Sequence, residues 1–379
     1  MSRTQCDPHD RRQICLTRYV DRLSLKKTLL TLLKFAIPAG ILTYLIRDLV
    51  VNHGDELLQI RDSPKNWGLL TLAFALAMTA LICTFLRWRM LVITLQMPFR
   101  VTDALRLGFL GFLFNFVGAG SVGGDLFKAI FIAREYPQNR AAAFATVIVD
   151  RMIGLYALLV VTSLATLAID RTVADTAMLT VLNIIYGLTI VGGLGVGMIL
   201  LPGFTRGSVS ELLRNLPKVG SKIGELIDAV RLYRRQPLVL TVIAVMSLSI
   251  HVLFAMSVYC IAHGLFTEAP TLIEHLVIVP LSMVFAALPI APGGMGTFEL
   301  AMNYLYQHVP TPPAAEGIGT IVALGYRVIT ILMALVGVVY YWFYRKEVGV
   351  LMHEAEEEQE HEHEREAYVD ISTESTPAE

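Results

Sequence analysis

The sequence predicts an all-α polytopic membrane protein with about six full transmembrane helices and two glycine-broken re-entrant helix pairs. Hydrophobic residues make up 55% of the 379 residues and charged residues only 17%, whereas soluble domains carry about 25% charged residues. Two glycine clusters also interrupt apolar stretches at residues 118–124 and 293–296. The order of the segments further indicates an inverted repeat.

About eight hydrophobic segments follow one another along the chain. A membrane-spanning helix needs about 20 apolar residues, and six stretches reach that length. The two remaining stretches, 102–118 and 271–291, run into the glycine clusters. The six full spans are predicted at 28–50, 67–86, 141–169, 177–201, 237–263 and 314–344.

The distribution of Lys and Arg predicts how the helices are oriented, because basic loops stay on the cytoplasmic side. The N-terminal segment 1–27 and the loop 202–236 are both rich in Lys and Arg, whereas 308–317 contains neither. We therefore expect a multi-pass protein of the cell inner membrane with cytoplasmic N- and C-termini. The transmembrane domain covers 28–345, and an acidic, disordered cytoplasmic tail occupies 346–379. A cleaved signal peptide is not expected, because the basic leader is too long.

This orientation requires residues 102–135 to begin and end inside, and residues 271–310 to begin and end outside. Each segment is either a re-entrant pair of half-helices or a pair of full spans, which would give eight or more crossings. The sequence favours re-entrant pairs. Non-helical backbone at that depth must be buried in protein or line a wet cavity.

The stretch "GAGSVGGDLFKA" (118–129) matches the dinucleotide fingerprint G-x-G-x-x-G. That motif needs a preceding strand and a βαβ unit. Here a long apolar, aromatic stretch precedes the glycines and membrane helices flank it, so we reject nucleotide binding.

The two glycine clusters begin similar units. In the first, "GGD" precedes a helix with "VDR", and in the second, "PGGMGTFE" precedes a helix with "GYR". Asp125 and Glu299 therefore precede Arg151 and Arg327 by similar intervals. Because the units enter from opposite faces, they outline an inverted-topology repeat whose site lies where the broken helices meet.

A charge at the centre of a membrane helix costs about 2.5–3.5 kcal/mol. Asp150 lies about 14 Å into its predicted helix. Adjacent helical residues do not face each other, so Asp150 and Arg151 need separate partners, with Asp125 or Glu299 available to Arg151. Lys128 either pairs with Asp125 or lies at the inner interface. Alternatively, these charges only fix helix packing, and Asp125 and Glu299 only cap helix N-termini.

The motifs "NFVGAGSVGGDLFKA", "VIVDRMIGL" and "LPIAPGGMGTFELA" resemble the transmembrane region of lysylphosphatidylglycerol synthetases, also called the flippase-like domain family. The resemblance covers roughly residues 28–345 and implies a polytopic inner-membrane protein related to lipid translocation. The chain departs from the family in "VGAG", where many relatives carry a proline, and at Lys128, where an arginine is common. Together with the charge argument, the resemblance gives these candidate substrate-binding residues: Asn115, Gly123, Gly124, Asp125, Lys128, Asp150, Arg151, Gly293, Gly294, Gly296, Glu299 and Arg327.

These observations predict a lipid translocase or permease that acts on a phospholipid or a lipid-linked head group. The alternatives are an intramembrane transferase on a lipid-linked substrate and a noncatalytic partner of a lipid-modifying enzyme. Because only a short charged tail follows Arg345, we expect no aminoacyl-transferase domain. We expect no catalytic residues, cofactor or metal, since no His, Asp or Glu cluster has suitable spacing. The expected partners are membrane lipids, a second copy in a homo-oligomer or a lipid-modifying enzyme, and no nucleic acid.

Overall fold

The computed structural model describes residues 64–117, 123–169, 176–200, 232–288 and 292–345, together with six single positions between 40 and 51. These residues form helices joined by short connections and contain no strand. The nine helices named below are α1 Trp67–Thr94, α2 Val101–Val117, α3 Gly123–Glu135, α4 Arg140–Ala165, α5 Thr176–Leu200, α6 Pro237–Leu265, α7 Leu272–Ala287, α8 Thr297–His308 and α9 Ile318–Arg345.

Five helical segments are long and apolar enough to cross a membrane, which confirms an all-α polytopic membrane protein. They are Trp67–Thr94, Ala142–Ala168, Met178–Met198, Pro237–Leu265 and Ile318–Arg345, and they correspond to five of the six predicted full spans. The sixth, 28–50, lies mostly outside the described residues. The leader 1–27, most of the loop 202–236 and the tail 346–379 also lie outside them.

Helices α1 and α6 form an antiparallel pair. At one end the amide of Asn66 donates to the carbonyl of Gly264 at 3.0 Å. At the other end the hydroxyl of Tyr233, just before α6, donates to the carbonyl of Leu91 at 3.1 Å. The fully buried Ala73 and Ala77 allow the two helices to approach closely.

The short helices α2 and α3 form the first of two antiparallel hairpins. Near its open end the guanidinium of Arg106 lies 5.2 Å from the ring centroid of Phe131. Near its tip the rings of Phe114 and Phe127 are 4.7 Å apart. The preceding element is a helix rather than a strand, which agrees with the rejection of a nucleotide fingerprint.

Helices α7 and α8 form the second hairpin. Close to its open end, His275 Nε2 lies 2.7 Å from the hydroxyl of the fully buried Tyr306. Toward its tip, a Cβ on Gly294 would lie 2.5 Å from the Cβ of Ala286. Thr271 begins α7 with a side chain that accepts from the amide of Glu274 at 3.4 Å.

The two hairpins enter the bundle from opposite ends, and their tips touch inside it. The open end of the first lies beyond the C-terminus of α1, where the Tyr136 hydroxyl donates to the carbonyl of Pro98. The open end of the second lies at the C-terminus of α6, since the rings of Tyr259 and His275 are 5.5 Å apart. At the tips, a Cβ on Gly293 would lie 3.2 Å from the ring of Phe116.

Candidate functional site

The tip of the first hairpin is held by backbone contact between its two helices. A Cβ on Gly124 would lie 1.8 Å from the carbonyl oxygen of Gly111, so only glycine fits there. The amide of Gly124 donates to the side-chain oxygen of Asn115 at 3.0 Å. The side chain of Asn115 therefore satisfies an amide in the first turn of α3.

One carboxylate at this tip contacts two cations. Asp125, the third residue of α3, accepts a hydrogen bond from Nε of Arg151 on α4. Its other oxygen lies 3.3 Å from Nζ of Lys128. The ammonium of Lys128 also lies 5.4 Å and 5.7 Å from the ring centroids of Trp88 and Phe85, within range of cation–π attraction. Both proposed pairings, Asp125 with Arg151 and Asp125 with Lys128, are thus present.

The partner of Asp150 is Arg87, a residue that the sequence analysis did not identify. Helix α1 continues to Thr94 and buries Arg87, whose exposure is only 4%. Its Nε lies 2.8 Å from Oδ1 of Asp150, and its Nη1 donates to Oγ of Ser247 at 3.1 Å. Arg87 therefore joins α1, α4 and α6. The sequence does contain one signal for Arg87: it directly follows an apolar run that is long enough to form a membrane helix.

The break in the second hairpin is closed by Arg327 on α9. Nε of Arg327 donates to Oε1 of Glu299 at 2.7 Å, and its Nη1 donates to the carbonyl of Gly293 at 3.1 Å. Its Nη2 lies 2.6 Å from Glu299 Oε1 and 3.4 Å from the carbonyl of Gly294. The second oxygen of the fully buried Glu299 accepts from the amide of Gly296 at 2.7 Å.

The glycines of this break adopt backbone conformations that other residues rarely take. Gly293, Gly294 and Gly296 have φ values of +59°, +64° and +81°. Glycine populates this left-handed region without the steric cost of a Cβ atom. The backbone conformation of the tip therefore requires the three glycines of "PGGMG".

An ion pair between a carboxylate and an arginine occurs at the equivalent place in both units. Asp125 and Glu299 are each the third residue of the second hairpin helix, and their arginine partners follow 26 and 28 residues later. This correspondence, with the opposite entry of the hairpins, matches the inverted repeat outlined by the sequence. The pairs differ in exposure. The Arg151 side chain is 36% exposed and that of Asp125 16%, against 14% for Arg327 and 0% for Glu299.

The structure groups the twelve predicted residues into two neighbouring sets. Contact between Gly293 and Phe116, the residue after Asn115, joins the sets at the tips. Gly111, Arg87 and Ser247 complete the first set and were not among the predicted residues. Within the described ranges, no three His, Cys, Asp or Glu residues are placed to hold a metal ion. The first set comprises Asn115, Gly123, Gly124, Asp125, Lys128, Asp150 and Arg151; the second comprises Gly293, Gly294, Gly296, Glu299 and Arg327.

Comparison with known proteins addresses the family of this bundle. A family model described as "Lysylphosphatidylglycerol synthase TM region" matches residues 31–337. The match includes both hairpins and all four charged residues of the two repeated ion pairs. Comparison with curated proteins gives no match to the chain. Because the family model covers most of the 379 residues, the chain belongs to the family of the lysylphosphatidylglycerol synthase transmembrane region.

Proposed function

We propose that this protein is a translocase or permease for membrane lipids. The observation that carries the proposal is the meeting of two oppositely inserted hairpins beside buried ion pairs. Broken helices that meet inside a bundle are typical of transporter sites, and charged residues inside membrane helices usually mark a substrate path. A lipid head group could pass these charges while its acyl chains stay in the bilayer.

The lengths of the hairpin helices support segments that turn back inside the membrane. Helices α2 and α3 have 17 and 13 residues, or about 25 Å and 20 Å at 1.5 Å per residue. Helices α7 and α8 have 16 and 12 residues, or about 24 Å and 18 Å. All four are shorter than a hydrocarbon core of about 30 Å.

The charge distribution supports an inner-membrane protein with cytoplasmic termini. Arg89, Arg100, Arg134 and Arg140 lie around the open end of the first hairpin, whereas Lys65 precedes α1 at the opposite end of the bundle. By the rule that basic residues remain inside, the first hairpin opens toward the cytoplasm and the second away from it. By the same rule, we expect the basic leader 1–27 to lie on the cytoplasmic side.

Transport by the reconstituted full chain tests this proposal. Vesicles containing the protein and a fluorescent phospholipid are treated with a membrane-impermeant reductant, and the loss of inner-leaflet signal gives the translocation rate. We expect Arg151→Ala to slow this rate by about tenfold or more, because it removes the exposed cation of the first tip. Arg134→Gln, which removes an exposed positive charge at the open end of the same hairpin, is expected to leave the rate unchanged. Equal rates for wild type, Arg151→Ala and protein-free vesicles would contradict the proposal.

A further inference from the structure

We infer that the acidic segment 353–366 of the C-terminal tail docks on a basic rim at the open end of the first hairpin of the same chain. The inference follows from the charges of the rim and of the segment, from the place where the tail begins and from the length of chain between them. It is independent of the proposed transport. The basic rim consists of four exposed arginines: Arg100, Arg140, Arg235 and Arg345.

Contacts between helices bring the basic rim to one end of the bundle. Arg100 directly precedes α2, and Arg140 is the first residue of α4. The hydroxyl of Tyr136, which follows α3, donates to the carbonyl of Pro98 in the connection between α1 and α2. Arg235 lies just before α6, whose start is joined to the end of α1 by a hydrogen bond. The rim therefore surrounds the place where the first hairpin opens.

The two ends of the bundle differ in charge. At the open end of the first hairpin, the described carboxylates are Asp103 in the first turn of α2 and Glu135 at the end of α3. Two carboxylates cannot balance the four rim arginines, so this end is positively charged and attracts anionic groups. The described charged side chains of the opposite end, histidines aside, are Lys65, Glu268, Glu274 and Glu316.

The tail begins beside the basic rim. Helix α9 ends at Arg345, which is itself a rim residue. The ring centroid of the preceding Tyr344 lies 4.4 Å from the guanidinium carbon of Arg106 on α2, and that carbon lies 5.2 Å from the ring centroid of Phe131 on α3. Only residues 346–352 separate α9 from the acidic segment, and they span at most about 25 Å when extended. The acidic segment is thus tethered next to the arginines.

The acidic segment complements the rim in charge. Residues 353–366 contain eight glutamates and one arginine. If the segment simply continued α9 as a helix, glutamates four residues apart, such as Glu354 and Glu358, would stack on one face, and like charges at this spacing destabilise a helix. Contact with the rim replaces that repulsion by attraction. Because the tether gives an effective concentration on the order of millimolar, weak individual ion pairs suffice for docking.

Crosslinking of the full chain tests the docking. In a background without the four native cysteines, Ala355→Cys places a thiol in the acidic segment, and Gln138→Cys places one in the exposed connection between α3 and α4. The matched control combines Ala355→Cys with Thr311→Cys at the opposite end of the bundle. In detergent at low salt, we expect a short bismaleimide to join the first pair about tenfold faster than the control pair, since docking raises the local thiol concentration.

Two changes should slow crosslinking of the first pair by about fivefold or more. One is high salt, because the Debye length falls from about 10 Å at 0.1 M to about 3 Å at 1 M. The other removes charge from the segment by four substitutions: Glu356→Gln, Glu357→Gln, Glu358→Gln and Glu360→Gln. Labelling of position 355 by a monofunctional maleimide corrects each rate for thiol reactivity. The control variant, which should keep the original rate, removes the carboxylates that follow the segment: Asp370→Asn, Glu374→Gln and Glu379→Gln.

The other partners of the rim are outcomes of the same experiment. Equal rates for the two pairs would overturn the inference, and so would a rate that neither salt nor the loss of four glutamates changes. Crosslinking that is as fast between a chain with only Ala355→Cys and a chain with only Gln138→Cys would place the segment on a second copy and overturn it. Crosslinking that is lost in vesicles containing phosphatidylglycerol would assign the arginines to anionic lipid, whereas a retained rate there supports docking of the tail.

Discussion

At the scale of single residues, the charges inside the bundle are held in three different ways. Arg87 is buried and connects three helices through Asp150 and Ser247. Arg327 closes a glycine break within its own repeat unit. Arg151 shares a carboxylate with Lys128 and reaches the surface of the bundle. The same type of side chain thus connects buried elements in two positions and is partly exposed in the third.

The close approach of Gly111 and Gly124 predicts a strong effect of a single methyl group. In Gly124→Ala the new Cβ would overlap the carbonyl oxygen of Gly111, so α2 and α3 must move apart. Overpacking of this kind costs about 1–3 kcal/mol, and we expect a clearly lower melting temperature in detergent. In Gly195→Ala on α5, the added methyl group meets nothing within 4 Å, so stability should be unchanged or slightly higher. Equal melting temperatures for the two variants would contradict this packing.

At the scale of elements, each hairpin depends on contacts that are distant in sequence. The first is held by a carboxamide on α2, backbone packing and a carboxylate that reaches α4. The second is held by glycines with positive φ and by the guanidinium of Arg327. The hairpins therefore share one plan, but in the second an arginine guanidinium also binds the carbonyls of the glycine break.

Replacement of each repeat arginine by lysine should separate the two roles. Arg327→Lys keeps the charge, but a single ammonium cannot contact Glu299 and both glycine carbonyls as the planar guanidinium does. We expect a loss of about 2 kcal/mol or more in the free energy of unfolding. Arg151→Lys keeps a cation beside Asp125 at a half-exposed site, and its cost should stay below about 1 kcal/mol. Unfolding of both variants by denaturant in detergent measures the difference, and a larger loss at Arg151 would contradict this division of roles.

The helices could be predicted from the sequence more completely than the contacts between them. Hydropathy located five spanning helices among the described residues. The sequence left Asp125 or Glu299 as the partner of Arg151, and the structure pairs Arg151 with Asp125. Arg87 was missed because an arginine at the end of an apolar run resembles the start of a basic loop, and only tertiary packing shows that the helix continues. The contact of Gly293 with Phe116 joins residues far apart in sequence, and no local pattern encodes it.

At the scale of the whole molecule, the arrangement of the hairpins predicts from which side of the membrane each hairpin tip is accessible. Single cysteines at position 121, in the connection between α2 and α3 outside the described residues, and at Thr297 are placed in a background without the four native cysteines. With re-entrant hairpins, a membrane-impermeant maleimide should label position 121 from the cytoplasmic side and position 297 from the opposite side. Cysteines at Arg134 and Thr311, at the open ends, control for orientation. Labelling of each tip from the side opposite its own open end would mean that the hairpins span the bilayer.

The contact between the tips also bears on how well the membrane stays insulated. A membrane that stores an ion gradient cannot tolerate an open aqueous pore through one of its proteins. Here Phe116 presses against Gly293, and the carbonyl of Asn115 lies 3.7 Å from the position of a Cβ on that glycine. An aromatic ring and backbone atoms of the first hairpin therefore fill the space beside Gly293 of the second. If the protein moves lipids as proposed, a polar head group that crosses has to separate Phe116 from Gly293, and the return of this contact would limit the leak of protons.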